Sequence, residues 1–317
     1  MLKLAIISGF LGSVRNRFMD YQEPRELAAK AAIAGRVENL SGLELCYPED
    51  FADFDLAQKT LAENKLGVSA VNFRSRRNDK WVKGSFTSSI PAERTDLVEE
   101  LARAAEYARK LGCKRITTCP LNEGHDYIFE MPYGDAYDLF RGVMREAADG
   151  AKDIAFSLEY KWNDPRARCL LAGAGEALSF CEDVDRDNVG VTLDFGHSIY
   201  AGERPAQAAV LLSRANRLFY VHLNDNDKYW DWDMMPGAFN FWDSVEFFYY
   251  LKKIGYDDWY AYDVTPKDHP VLDVFNTTTF ATLKLKEVAD RIDVDGMEKL
   301  LGERNAAKTM RYLFSLI

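Results

Sequence analysis

The chain has 317 residues, 47% of them hydrophobic and 13% aromatic, enough for one large buried core, and its net charge is −10. That charge disfavours nucleic acid as a partner, because such binding is driven by Lys and Arg neutralising phosphates, and an uncharged small molecule suits it better. Five scattered cysteines without CxxC pairs exclude a disulfide-dense secreted scaffold, and no apolar run approaches the ~18 residues of a membrane helix.

The opening run Leu2–Phe10 is broken by Ser8, Gly9 and then Arg15, too early for a signal peptide, so it reads as a first buried strand in a cytoplasmic protein. A helix follows over Pro24–Ala34, with Pro24 at its first position and Gly35 as its stop. Gly42–Tyr47 is the second strand, Phe54–Lys65 the second helix and Gly67–Phe73 the third strand. The polar, basic loop Arg74–Ser89 is long enough to be functional or mobile. Arg94–Leu111 is amphipathic, with Leu97, Leu101, Ala104, Ala105 and Ala108 at helical spacing. Cys113–Cys119 is strand four, Tyr137–Lys152 a helix, Ile154–Lys161 strand five and Arg168–Glu182 a helix. Val189–Phe195, Pro205–Leu212 and Leu218–Asn224 continue the alternation. After the aromatic, acidic loop Asp225–Asn240 come helix Trp242–Ile254, strand Trp259–Val264 and helix Leu272–Ile292. Eight strand and helix pairs in succession predict a (β/α)8 TIM barrel over residues 1–292, with a helical C-terminal extension over 293–317.

Four strand ends carry the chemistry: Glu159, Asp194, His222 and Asp263, separated by 35, 28 and 41 residues (159 to 194 to 222 to 263). These spacings are close to the roughly 30 residues of one βαβ unit, so a closed barrel gathers all four at one mouth. Three carboxylates and an imidazole brought together repel and desolvate one another, and a divalent cation is the simplest resolution. Lys161 shares the face of Glu159 by strand alternation. Asp194 and His197 flank Gly196, where a bend lets both reach a common centre. In Lys228-Tyr229-Trp230-Asp231-Trp232-Asp233, an extended chain puts both carboxylates on one side. On spacing alone that pair reads equally as a second cation site beside Asp194 and His197 or as a solvated acidic loop.

Glu159-Tyr160-Lys161-Trp162-Asn163-Asp164-Pro165-Arg166 resembles the Glu-x-Lys-Pro-Asn-Glu-Pro-Arg stretch of xylose isomerases. Lys228-Tyr229-x-Asp231-x-Asp233 is similar to their Lys-Tyr-Asp-x-Asp, and Tyr262-Asp263-Val264-Thr265-Pro266 to their Phe-Asp-Tyr-Lys-Pro. Asp194-x-x-His197 with His222 resembles instead the pattern of L-rhamnose isomerases. The likeness runs from about Gly112 to the end of the barrel.

The resemblance implies a two-metal aldose–ketose isomerase acting on a free, unphosphorylated sugar. Glu159, Asp194, His222 and Asp263 would hold one cation, and Asp194, His197, Asp231 and Asp233 a second that carries water or hydroxide. Oxygen-rich ligation with one imidazole per site points to Mn²⁺, with Mg²⁺ or Co²⁺ as alternatives. Catalysis would use Lys161, Asp231 and Asp233 in a 1,2-hydride shift. Substrate would be lined by Phe10, Asn72, Cys119, Asn122 and Trp162, and the assembly would be a homodimer or homotetramer. One departure stands out: the four histidines are His125, His197, His222 and His269, so none precedes strand four to open a sugar ring. The same barrel superfamily contains ketose 3-epimerases, which would cast Glu159 and Asp263 as acid and base and leave Lys161, Asp231 and Asp233 without a role. Zinc-dependent cleavage of damaged DNA needs more histidines and a basic face. A non-catalytic sugar sensor fits poorly with a full set of competent ligands.

Overall fold

The computed structural model describes residues 2–16 and 18–317; Met1 and Arg17, inside the expected barrel span 1–292, lie outside the described residues. Eight parallel strands close into a barrel: β1 (Lys3–Ile7), β2 (Gly42–Tyr47), β3 (Gly67–Phe73), β4 (Arg115–Thr118), β5 (Ala155–Glu159), β6 (Val189–Asp194), β7 (Leu218–Leu223) and β8 (Trp259–Tyr262). Each lies beside its neighbour in the chain, and β8 returns to β1 in a register that runs from Lys3↔Trp259 to Ile6↔Tyr262.

Strand alternation sorts the side chains into two cores. Ala5, Ile7, Cys46, Ala70, Tyr220 and Ala261 point into the barrel, whereas Leu4, Ile6, Leu43, Leu45, Val71 and Phe73 point outward against the helices. The inner set is mostly small, which leaves room for Glu44 and His222, both fully buried. Near the opposite end a Cβ on Gly42 would come within 2.4 Å of the Gly67 carbonyl, so only glycine allows that backbone approach.

The outer ring is α1 (Leu27–Ala34), α2 (Phe54–Glu63), α3 (Pro91–Lys110), α4 (Tyr133–Gly150), α5 (Ala174–Val184), the short α6 (Phe195–Tyr200), α7 (Pro205–Arg214), α8 (Phe241–Lys253) and α9 (Val271–Asp290). Asp53 caps α2 at the Leu56 amide, and Pro91 and Pro205 open α3 and α7, where a missing N–H costs nothing. Two further helices, α10 (Val294–Glu303) and α11 (Ala306–Phe314), follow the ring.

Two expected elements differ. The helix read over Arg168–Glu182 starts only at Ala174, because Arg168–Cys169 pairs with Gly124–His125 as a two-stranded ribbon at the barrel rim. The end of β6 does not turn into a loop but enters α6 directly. The long loop after β3 is fastened to the barrel rim. The buried Glu123 carboxylate accepts from the Ser85, Phe86 and Thr87 amides at 2.7, 3.1 and 3.1 Å and from the hydroxyls of Ser85 and Thr87. No described helix is long and apolar enough to cross a membrane.

Candidate metal centre

Glu159, Asp194 and His222 end or nearly end β5, β6 and β7, and Asp263 follows β8 directly. These four strands are consecutive in the ring, so Asp194 and His222 stand in the middle of an arc with Glu159 and Asp263 at its two ends. One donor atom from each lies within 4.8 Å of the others.

His222 is oriented from the far side of the barrel. Its Nε2 lies 3.0 Å from Glu44 Oε2, and Glu44 also accepts from the Asn72 amide at 2.7 Å and from the Thr117 hydroxyl. Burial pushes the Glu44 carboxyl up, but His222 and these hydrogen bonds outweigh it and hold it below its ordinary value. The ionised Glu44 accepts a hydrogen bond from Nε2–H and so turns Nδ1 towards the other three donors; burial opposes charge on His222, yet Glu44 and Glu159 raise it well above its ordinary value, so Nδ1 holds a proton that a cation would displace. Asp194 is held from two sides: Oδ1 accepts from the His197 amide at 2.7 Å as the cap of α6, and Oδ2 accepts from the Asn224 side chain at 3.0 Å. Gly196 serves close packing rather than a bend, since a Cβ there would meet Asn224 Oδ1 at 2.4 Å.

Two buried atoms at the centre of the arc, Glu159 Oε1 and His222 Nδ1, make no well-directed hydrogen bond; they face each other as an ion pair at 3.3 Å, and Oε1 also lies 3.2 Å from His197 Nδ1. Leaving such groups without a hydrogen bond is costly. A divalent cation satisfies both, and three carboxylates with one imidazole are a fitting donor set for Mn²⁺, Mg²⁺ or Co²⁺. In the metal-free protein the two end carboxyls are driven apart. Burial, then Glu159 and Asp194, raise Asp263 to about 7. Glu159 also feels burial upward, but the imidazoles of His222 and His197 hold it at about 2.

The second expected quartet is tied together in part, by hydrogen bonds from His197 to Asp194 and Asp231. Among the described residues, Asp194, His197, Asp231 and Asp233 form no common donor cluster. His197 Nδ1 lies 2.9 Å from the Tyr160 carbonyl, and its Nε2 lies 3.1 Å from Asp231 Oδ2. That same oxygen receives the Lys161 ammonium at 2.8 Å, and Asp164 lies 3.4 Å from it on the other side. Burial opposes charge on His197, yet Asp194 and Asp231 raise it to about 10. The chain is not extended through Asp233, whose φ of 49° is left-handed; its carboxylate accepts from the Thr265 hydroxyl at 3.0 Å instead.

The residues expected to line substrate also differ in placement. Phe10 packs at the end of β1 against both cores. Asn72 is buried and bridges Glu44 to Arg74, whose Nε donates to its carbonyl at 3.1 Å. Asn122 is turned to the Trp81 carbonyl at 2.9 Å and fastens the loop after β3. Trp162 is 40% exposed, with the Arg168 guanidinium 4.1 Å from its ring centre. His125 sits on the rim beside Tyr133, and His269 is exposed. Glu44 and Asn224 carry no expectation from sequence. The signal for Glu44 is a single charge inside Gly-Leu-Glu-Leu-Cys-Tyr, on the inward parity of an otherwise apolar strand.

Residues 36–276 match the model of the xylose isomerase-like TIM barrel. The chain belongs to that family. A xylose isomerase from Thermus thermophilus is 27% identical over 173 residues, 53% of this chain and 45% of that enzyme, so the chain spans less than half of that relative's length. Among solved structures, an L-ribulose 3-epimerase superposes with a TM-score of 0.73 at 21% identity, covering 92% of this chain and 96% of that one. A D-allulose 3-epimerase from Methylomonas sp., in complex with D-allulose, gives 0.70 at 19% identity, covering 89% and 96%. At these identities the structural likeness is one of fold.

Proposed function

We propose that this barrel is a sugar isomerase that uses one divalent cation, Mn²⁺ by choice, and epimerises a ketose at C3. The observation that carries this reading is the arc itself: two carboxylates, Glu159 and Asp263, stand at opposite ends of a single four-donor centre. The two 3-epimerases above share the fold, which adds support.

Epimerisation removes a proton from one face of C3 and returns one to the other face, so it needs two groups on either side of the carbon. Glu159 and Asp263 supply them: one takes the C3 proton, the other delivers a proton to the opposite face, and the roles exchange for the reverse reaction. Environments that push two carboxyls apart suit such a pair. A divalent cation bound there supplies Lewis-acid polarisation of the carbonyl that makes the C3 proton acidic. His222, fixed by Glu44, and Asp194, fixed by Asn224, keep the ligand set in register while the end carboxylates work.

The aldose–ketose isomerase by 1,2-hydride shift stands as the second reading. Its support is the buried Lys161 ammonium on Asp231 and the partial identity to a xylose isomerase. That chemistry calls on a second cation, and Lys161 and His197 already occupy the Asp231 carboxylate that would hold it. The two readings separate in deuterium oxide. Metal-stripped protein reloaded with Mn²⁺ should place solvent deuterium at C3 of a ketose under the first, whereas hydride migration between C1 and C2 leaves the product free of solvent label.

A further inference from the structure

A second group of metal-binding atoms lies on the other flank of Glu159. Cys119, just beyond β4, has the inward parity of Arg115 and Thr117, and one donor atom each from Cys119, Glu159 and His197 lies within 4.8 Å of the others. Glu159 and His197 are 3% exposed, and Glu159 Oε1 is one of the buried atoms without a hydrogen bond. Asp231 Oδ1, on the carboxylate beside His197 Nε2, is another.

The orientation of His197 suits a metal ligand. With Nε2 donating to the Asp231 carboxylate at 3.1 Å, it is Nδ1 that faces this group, 3.2 Å from Glu159 Oε1, the arrangement in which a carboxylate acceptor behind the ring orients a ligating imidazole. The donor set here is softer than that of the arc. It holds a sulfur, one imidazole and one carboxylate, and sulfur with imidazole selects zinc-like ions over Mn²⁺ or Mg²⁺.

We propose that Cys119, Glu159 and His197 form a separate site for a soft divalent cation such as Zn²⁺, which shares Glu159 with the four-donor centre. Binding exchanges two protons for the metal: the Cys119 S–H and the His197 Nδ1–H bonds break, sulfur–metal and nitrogen–metal bonds form and both protons leave to solvent, with no change of oxidation state. A cation there draws Glu159 away from proton transfer, so zinc should inhibit a protein already loaded with Mn²⁺. The inhibitory consequence rests on the proposed 3-epimerase reaction, while the binding itself does not.

The test is a Co²⁺ titration of the metal-free protein read by absorption. After the first equivalent, a second should bring up the near-ultraviolet thiolate-to-cobalt charge-transfer band. Cys119→Ser should remove this band while retaining one bound Co²⁺, and Cys169→Ser, altering the neighbouring buried thiol, should keep it. No band at two equivalents, or a band that survives Cys119→Ser, overturns the site. In parallel, Zn²⁺ added to the Mn²⁺ protein should cut C3 deuterium exchange by about tenfold or more, measured as the ratio with and without zinc within each protein. That ratio should return towards one in Cys119→Ser; an unchanged ratio in the variant overturns the inhibitory role. Should no ketose exchange at all, the reaction assignment fails, and the cobalt band still decides the site.

Discussion

The two halves of the barrel mouth treat buried charge in opposite ways. In the half built from β1 to β4, the buried carboxylates Glu44 and Asp50 are satisfied: Glu44 has His222, Asn72 and Thr117, and Asp50 has the Lys30 ammonium at 2.8 Å, the Cys46 amide at 2.8 Å and the Ser8 hydroxyl. In the half built from β5 to β8, Glu159 Oε1, His222 Nδ1 and Asp231 Oδ1 are sealed from water without a hydrogen bond. A folded chain does not ordinarily leave such atoms in that state, because each costs about 1–3 kcal/mol. The lesson is a division of labour, with the early half holding side chains in place and the late half left short of partners that a cation and a substrate complete.

The hardest blow to that division should come from the late half. Asp263→Asn should lower C3 exchange by about 10³-fold or more, since it removes one of two proton-transfer groups. Exchange within tenfold of the unaltered protein would mean that the end of the arc is not catalytic. Next, Glu44→Gln touches no metal yet should weaken Mn²⁺ binding by about 10–100-fold, because it loosens the Nε2 partner of His222. A competition titration that finds unchanged affinity would break the link between the halves.

A third effect sharpens the comparison through pH. Asp263 has its carboxyl raised to about 7 in the folded, metal-free protein, so the folded chain keeps a proton that the unfolded chain releases. Its contribution to stability is full below about pH 4 and is lost as pH rises through about 7. His197, raised from its ordinary 6.5 to about 10, acts with the same sign, its contribution being lost progressively from about pH 6.5 through about 10. Denaturant unfolding of the metal-free protein should therefore show a fall on the order of 4 kcal/mol between pH 5.5 and 8.5, about half of it from Asp263. Asp263→Asn should show a smaller fall, and an equal one would remove Asp263 from the account. The smallest effect is expected at Lys161, which is committed to Asp231. Lys161→Met should change C3 exchange by less than about tenfold, whereas loss of nearly all activity would favour the hydride-shift reading.

Much of this was legible in the chain. β2 and β3 have the bounds that the apolar runs predict, and the spacing of Glu159, Asp194, His222 and Asp263 anticipates that they meet. Each is a polar residue closing an apolar strand, and barrel closure does the rest. The early half was opaque because inward parity is decided by the register of the closed ring. Glu44 reads as a lone charge until β2 is known to face His222 across the barrel. Asp231 and Asp233 were open for another reason: their loop has no period, and the left-handed turn at Asp233 and the competition of Lys161 for Asp231 arise only in the folded chain. The Arg168–Cys169 ribbon was hidden likewise, because its partner Gly124–His125 lies across the rim.

The central claim is that Glu159 and Asp263 exchange a proton across one metal centre. It is tested most directly by incubating the Mn²⁺-reloaded protein with a panel of ketoses and aldoses in deuterium oxide and following the sugars by NMR. The account predicts metal-dependent deuterium at C3 of a ketose together with its 3-epimer, both absent after chelation. Aldose–ketose conversion with no solvent deuterium in the product would contradict it and move the chemistry to a hydride shift.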